Sequence, residues 1–366
     1  MGLKEILSKV KIDGINPYKS LEEEIKSEIK LWISTGAISL DKAIVGNDPN
    51  REGGIPHGRV VEIYGMESSG KSSLLDSIIK NFQIEHGGYV LLCDSENAHE
   101  EDRMMDVGID PDQIVLIEKK EGGKANNKDV TLEEFFVYSE AAIKEIRKEE
   151  ETPVLVALDS LAMISTESQE EAFGEDRNLK MNENTDKAKV MSSRFGKFTK
   201  LMTNNNATLI VVNQLREKPG VKFGDPKYTP GGNALRFYSS IRIALAKHGY
   251  ILPKEDIYEY DHEDPVGLDI EFKVIKNKIA PPFRTGTFPL MFDDRGIFSN
   301  LCLWNMFINK KMWEKHPDFE KSGSWFSWKN ERIGQGSGQA LKFLCENPDV
   351  LEDMKETFFG KKEEEE

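Results

Sequence analysis

Short apolar runs recur along the central part of the chain, and between them lie stretches whose apolar positions return at helical spacing. "GRVVEIYG" (58 to 65), "GYVLLCDSE", "TPVLVALDS" and "ATLIVVNQ" read as buried strands, and "KSSLLDSIIKNF" (71 to 82) as a helix. Strands alternating with helices over residues 34–286 predict an α/β domain, doubly wound around a mainly parallel sheet. Before it, residues 1–33 carry "SLEEEIKSEIKLWI" at helical period, which predicts a small amphipathic N-terminal unit. After it, "TFPLMFDDRGIFSNLCLW" opens a compact C-terminal segment, 287–354, and residues 355–366 end in "KKEEEE". "KKEGGKANNKD" (119–129) and "YILPKEDIYEYDHEDPVG" (250–267) read as surface excursions, and no internal repeat is present.

Between the first strand and its helix stands "GMESSGKSS", a Gly-x-x-x-x-Gly-Lys-Ser loop. A glycine-rich turn there points backbone N–H groups into one concavity at the positive end of a helix dipole, which is a phosphate site. The residues from Gly65 through Glu67, Ser68, Ser69 and Gly70 to Ser73 would wrap the phosphates. Lys71 would reach the outer ones, and Ser72 would offer its hydroxyl to Mg²⁺.

The other strands finish in polar groups: Glu96 beyond the second, Asp159 and Ser160 on the third, Asn213 and Gln214 on the fourth. In an open parallel sheet, ligands sit outside the carboxyl ends of the strands, so these groups are expected to converge on the nucleotide. Asp159 then suits the Mg²⁺ shell, Glu96 the activation of an attacking water, and Gln214 the sensing of a γ-phosphate.

Composition narrows the classes. No apolar run approaches the roughly 20 residues of a membrane span, and "MGLKEILSKVK" lacks the apolar stretch of a signal peptide, so a cytoplasmic protein is expected. Cys93, Cys302 and Cys345 are far apart, and the six histidines show no metal spacing. The net charge of -15 opposes a polyanionic partner, yet Leu215 to Gly249 holds seven cations against two acids. A nucleic acid responds to the field within a Debye length of about 8 Å, so such a patch can bind it on an acidic protein.

The stretches "ISTGAISLDKAI", "GGIPHGRVVEIYGMESSGKSSL", "DSENA", "VLVALDSLAMI", "NQLREKPGVKFGDPKYTPGGNALRFYSSIRIAL", "FKVIKNKIAPPF" and "KSGSWFSWKNERIGQG" resemble the RecA family of DNA strand-exchange recombinases over about residues 33–350. The resemblance implies a phosphate-loop ATPase core, an N-terminal polymerisation helix and a small C-terminal α/β domain, with ATP and Mg²⁺ as cofactors. It implies helical filaments of the protein on single-stranded DNA, exchange with duplex DNA, and single-strand-binding and loader proteins as further partners.

Residue by residue, the resemblance assigns Lys71, Ser72, Glu96, Asp159 and Gln214 to the phosphate loop, catalytic glutamate, magnesium aspartate and γ-phosphate sensor. It makes Leu215 to Gly232 the second DNA-binding loop, with Arg216, Lys218, Gly220, Val221, Lys222, Phe223, Lys227, Gly231, Gly232 and the adjacent Asn233 as DNA contacts. Cations there suit phosphates, and Phe223 and Tyr228 suit stacking. Lys276 and Lys278, on one face of "EFKVIKNK", match a pair that crosses the subunit interface to a neighbour's ATP.

Some positions depart from the family. Arg103 stands where a tyrosine usually covers the adenine, and an arginine can stack on a base as well. The first DNA loop, near "TESQEEAFGEDRNLKMNENTD", is long and acidic. Of two arginines that follow it in the family, one corresponds to Lys189 and the other to Gly196, with Arg194 or Lys197 as substitutes. These departures point to a diverged member of the kind carried by viruses or plasmids. The competing reading of the same core is a hexameric helicase-like motor, and a weaker one is a single-strand binder without turnover.

Overall fold

A computed structural model describes residues 29, 31–48, 53–121, 124–125, 130–174, 183–217, 227–253 and 263–359. In chain order the elements that position the site are α1 (Ile38–Val45), β1 (Val60–Gly65), α2 (Lys71–His86), β2 (Tyr89–Asp94), α3 (Glu101–Asp106), β3 (Ile114–Leu116), α4 (Leu132–Glu149) and β4 (Val154–Asp159). There follow α5 (Glu183–Asn204), β5 (Ala207–Gln214), the two-residue strands β6 (Arg216–Glu217) and β7 (Lys227–Tyr228), α6 (Ala234–Tyr238), β8 (Ile241–Ile251), β9 (Gly267–Asn277) and β10 (Thr285–Met291). The C-terminal part adds α7 (Ser299–Asn309), β11 (Phe319–Ser322), β12 (Trp325–Trp328), β13 (Glu331–Gln335), α8 (Gly336–Glu346) and α9 (Pro348–Phe359).

The central sheet has the order β10-β9-β8-β1-β5-β4-β2-β3. From β8 to β3 every pairing is parallel, and β9 and β10 extend it antiparallel. The expected mainly parallel α/β core is therefore present. Its two faces follow from the two-residue period of a strand. Val61, Ile63, Leu155, Ala157, Ile210 and Val212 pack with the apolar stripe of α2, from Leu74 to Phe82. Val60, Val154, Val156, Leu209 and Val211 pack on the other side with Phe135 and Phe136 of α4 and Phe195 and Phe198 of α5. α4 starts with a capping box, in which Thr131 and Glu134 satisfy each other's backbone N–H groups.

β8 and β9 extend through Ile251 and from Gly267, so the surface excursion between them is shorter than the pattern of 250–267 indicated. The alternation there is strand-like, but its polar residues mask it. β10 lies in the central sheet although it runs past residue 286, and α9 ends at Phe359. The C-terminal part folds β11, β12 and β13 into an antiparallel sheet around Trp304, Phe307, Phe319 and Phe326, with Trp304 edge-on to Phe326 at 4.9 Å between ring centres. Residues 1–28 and 360–366, which include most of the expected N-terminal helix and the acidic tail, lie outside the described residues.

Candidate nucleotide site and DNA-facing loop

β1 pairs with β5 so that Gly65 stands beside Gln214, and with β8 so that Gly65 stands beside Leu245. A Cβ on Gly65 would meet the Leu245 carbonyl oxygen and Ser69 Oγ at 2.4 Å, which explains why glycine opens the loop. Gly70, in the left-handed region at φ 77°, caps α2. Ser69 Oγ and Lys71 Nζ both donate to the Met66 carbonyl, at 2.7 and 2.8 Å, and close the loop over the N-terminus of α2. Burial draws the Lys71 ammonium below the usual lysine range, although Asp159, Glu96 and Glu67 favour its charge. Glu67 and Ser68 are exposed, and Ser72 and Ser73 half-buried.

The strand-end groups do converge. Ser72 Oγ donates to Asp159 Oδ2 at 2.7 Å. Glu96 Oε1 accepts from Gln214 Nε2 at 2.7 Å and from Ser160 Oγ. Asp159 Oδ1 is buried without a hydrogen-bond partner. A buried carboxylate oxygen left bare is costly, and next to a serine hydroxyl it is what a divalent cation or its water requires. Ser72 and Asp159 therefore fit Mg²⁺ by the chemistry of their donors.

Sequence reasoning missed the supports of this cluster. Asp94, at the end of β2, accepts from the backbone N–H of Glu96 at 3.1 Å and of His99 at 2.9 Å, so one carboxylate shapes the turn that presents both. His99, buried, places Nδ1 2.7 Å from Asp76 Oδ1 and Nε2 3.1 Å from Asp159 Oδ2. Burial works against its charge, but the hydrogen bonds to Asp159 and Asp76 outweigh it and push the imidazole up to about 10. On the opposite face of the sheet, fully buried Glu62 pairs with Arg242 Nε at 2.5 Å and accepts from Asn213 Nδ2 at 3.1 Å. A lone Glu inside "VVEIY" and a lone Arg inside "SSIRIAL" were the available signals for that pair.

A cavity of about 640 Å³ adjoins the loop on the side of α3 and is lined by Ser73, Asp106 and Arg103, with Phe292, Asp293 and Arg295 opposite. Arg103 Nη2 lies 3.5 Å from Ser73 Oγ, at the edge of this cavity.

The second loop leaves β5 through β6 and returns through β7, with Arg216 paired to Tyr228 and Glu217 to Lys227. Lys218, Gly220, Val221, Lys222 and Phe223 lie outside the described residues. Lys227 and Asn233 are exposed. Arg216 Nη2 lies 3.4 Å from the Ala162 carbonyl, which also accepts from buried Lys187 of α5 at 2.8 Å. Gly231 and Gly232, at φ 88° and 70°, pack instead against Leu161 and Ala188, which a Cβ would meet at 2.6 and 2.7 Å. Lys189 is exposed and pairs with Asp186 at 3.0 Å, and Arg194 is exposed further along α5. Gly196 accommodates Tyr238, whose hydroxyl a Cβ would meet at 2.9 Å. Lys276 donates to the carbonyls of Arg236 and Phe237, at 2.6 and 2.9 Å, whereas Lys278 follows the end of β9 and is exposed.

A model of the RecA N-terminal domain matches residues 11–298, and one of the RecA C-terminal domain matches 316–359. The chain belongs to the RecA family. It is 33% identical to Protein RecA of Mycolicibacterium smegmatis over 334 residues, 91% of this chain and 83% of that one. It is 34% identical to Protein RecA of Leptospira meyeri over 318 residues, 87% and 71% of the two chains, and 32% identical to that of Pseudomonas fluorescens over 319 residues, 87% and 79%. RecA membership carries a recombinase role in general terms and implies nucleotide binding with a divalent metal. No helix among the described residues is long and apolar enough to cross a membrane.

Proposed function

We propose that this RecA-family chain is an ATP-dependent homologous recombinase. It forms helical filaments on single-stranded DNA, pairs and exchanges strands with duplex DNA, and hydrolyses ATP in response to DNA. The observation that carries this reading is the 2.7 Å hydrogen bond from Gln214 to Glu96, because Gln214 ends the strand from which the basic second loop departs. Hydrolysis and DNA contact thus share one stretch of backbone.

In the reaction, the backbone from Gly65 to Ser73 holds the phosphates and Lys71 neutralises the outer ones. Ser72 and Asp159 would hold Mg²⁺, whose charge would offset the negative phosphate oxygens. Glu96 accepts the proton of the attacking water, and Gln214 keeps that carboxylate oriented until the γ-phosphate claims its amide. Lys278, with Lys276, is supplied to the neighbouring protomer's site, and Arg216, Lys218, Lys222, Lys227, Lys189 and Arg194 meet DNA phosphates.

Self-assembly is supported at the far edge of the sheet. β3 is an edge strand with exposed Val115 and Leu116, and beside it a groove of about 500 Å³ is lined by Ile117, Val130, Val137, Tyr138 and Ala141. An apolar edge of this kind accepts an added strand or amphipathic helix, and we assign the helical part of residues 1–33 of a neighbouring copy to it, while Trp32 and Ile33 stay in the core of their own chain. Residues 34–286 form the ATPase core in this reading, 287–354 the small domain and 355–366 the tail. Electron microscopy with single-stranded DNA and a slowly hydrolysed ATP analogue tests the proposal: helical filaments are expected, and closed rings would favour the motor instead.

A further inference from the structure

The His99 side chain has no exposure to solvent and touches carboxylates on both sides. Its Nδ1 lies 2.7 Å from Asp76 Oδ1 and its Nε2 3.1 Å from Asp159 Oδ2. Each ring nitrogen thus lies within hydrogen-bond distance of a carboxylate oxygen, which pins the ring between the two acids. Asp76 comes from the second turn of α2, whose first turn carries Lys71 and Ser72, and His99 from the turn that Asp94 shapes. Three elements therefore meet at one carboxylate.

Asp159 is loaded asymmetrically. Oδ2 accepts from both Ser72 and His99, whereas Oδ1, also buried, accepts from no group. Two donors on one oxygen fix the carboxylate plane and leave the other oxygen for a cation or a water of its shell. Asp76 in turn holds the His99 ring through its other nitrogen. The pair then acts through geometry.

We propose that His99 and Asp76 form a clamp that holds Asp159 in the orientation that receives Mg²⁺, which makes His99 a positioning residue for metal capture. The inference rests on the nucleotide and Mg²⁺ reading of the loop above. Partners that orient metal-binding groups in this way typically change metal affinity about ten- to a hundredfold when removed.

Two variants make the idea decidable. His99→Gln removes the ring that bridges Asp76 and Asp159, and Mg²⁺ binding reads the consequence. Loss of positioning would weaken that binding. The double variant Asp76→Leu/His99→Leu removes both members of the clamp and fills the space with apolar atoms, so it also guards against a single variant that fails to fold.

The experiment is a Mg²⁺ titration of the binding of a fluorescent ADP analogue to the full-length chain, with thermal melting of each variant as a check on folding. Both variants are expected to raise half-saturating Mg²⁺ about ten- to a hundredfold, with nucleotide affinity in chelator within about twofold of the parent. A double variant whose half-saturating Mg²⁺ stays within about threefold of the parent overturns the clamp, as does an equal loss of nucleotide affinity with and without the metal. If binding to the unaltered chain shows no Mg²⁺ dependence at all, the underlying metal-site reading fails, and the clamp with it.

Discussion

Glu96→Gln separates the proton-accepting role of this side chain from its structural one. In the structure Glu96 Oε1 accepts from Gln214 Nε2 at 2.7 Å and from Ser160 Oγ. A glutamine keeps an amide oxygen in that place, so both hydrogen bonds survive. They lose their charge assistance, which is worth about 1 kcal/mol at this half-buried position. Turnover should suffer far more, because a positioned general base contributes roughly 10²- to 10⁴-fold. At about 1.4 kcal/mol per tenfold, that is about 3 to 5 kcal/mol of barrier, several times the structural effect. The variant is predicted to melt close to the parent, to bind nucleotide and single-stranded DNA, and to release phosphate at least about a hundredfold more slowly. Steady-state phosphate release on saturating DNA, beside a nucleotide-binding titration, measures both. A turnover loss below about tenfold would refute the assignment of Glu96 as base, and lost nucleotide binding would show that its role is structural.

Turnover by the unaltered protein is predicted to rise strongly with single-stranded DNA, since Gln214 joins the nucleotide site to the second loop; equal phosphate release with and without DNA would remove that coupling. Arg242→Met leaves Glu62 buried without its ion partner and should destabilise the fold by about 3 to 5 kcal/mol in denaturant unfolding, whereas Glu62→Gln with Arg242→Met should recover much of the loss. Destabilisation below about 1 kcal/mol would mean that water reaches the pair. Burial raises the Asp41 carboxyl from 3.8 to about 6 against the hydrogen bonds from Thr35 and Ser34. Its folded form thus binds the proton more tightly than the unfolded chain, and its contribution to stability is full below pH 3.8 and lost as pH rises through about 6, by about 3 kcal/mol. Asp41→Asn should flatten that window relative to the parent in unfolding measured between pH 4 and 7, and identical slopes would show that Asp41 is not the group responsible.

The strands, the phosphate loop and the polar strand ends were legible because each is a local pattern: an apolar run, a glycine spacing, a polar residue where the run stops. What was not legible depends on partners far apart in sequence. His99 carries no metal spacing, and only the meeting of β2, β4 and α2 shows that it links Asp76 to Asp159. Lys276 and Lys278 read as one pair from their spacing, yet the end of β9 and the carbonyls of Arg236 and Phe237 separate their surroundings. Gly231 and Gly232 read as DNA contacts of the second loop, and their positive φ and close neighbours make them packing positions as well. Gly196 stands where an arginine was expected, and the space it leaves is taken by Tyr238 from α6, a substitution that shape alone explains.

The end of β5 shows how loop and nucleotide site can be coupled without a long pathway. Successive residues of a strand face opposite sides of the sheet. Gln214, on the side of α2, reaches Glu96 and pairs in register with Gly65, the first residue of the phosphate loop. Asn213, on the other side, donates from Nδ2 to Glu62 and to the carbonyl of Pro230, two residues past β7 on the return of the second loop, and its Oδ1 accepts from the Gln214 N–H. A displacement of Pro230 therefore acts on Asn213, and the hydrogen bond from the Gln214 N–H to Asn213 Oδ1 ties that side chain to the backbone of Gln214. The Glu62–Arg242 pair anchors the remaining hydrogen bond of the Asn213 amide, so the strand end has a fixed side and a loop side. In the proposed mechanism DNA that reshapes the second loop shifts Gln214 relative to Glu96, and a γ-phosphate that draws Gln214 away shifts Pro230 in return.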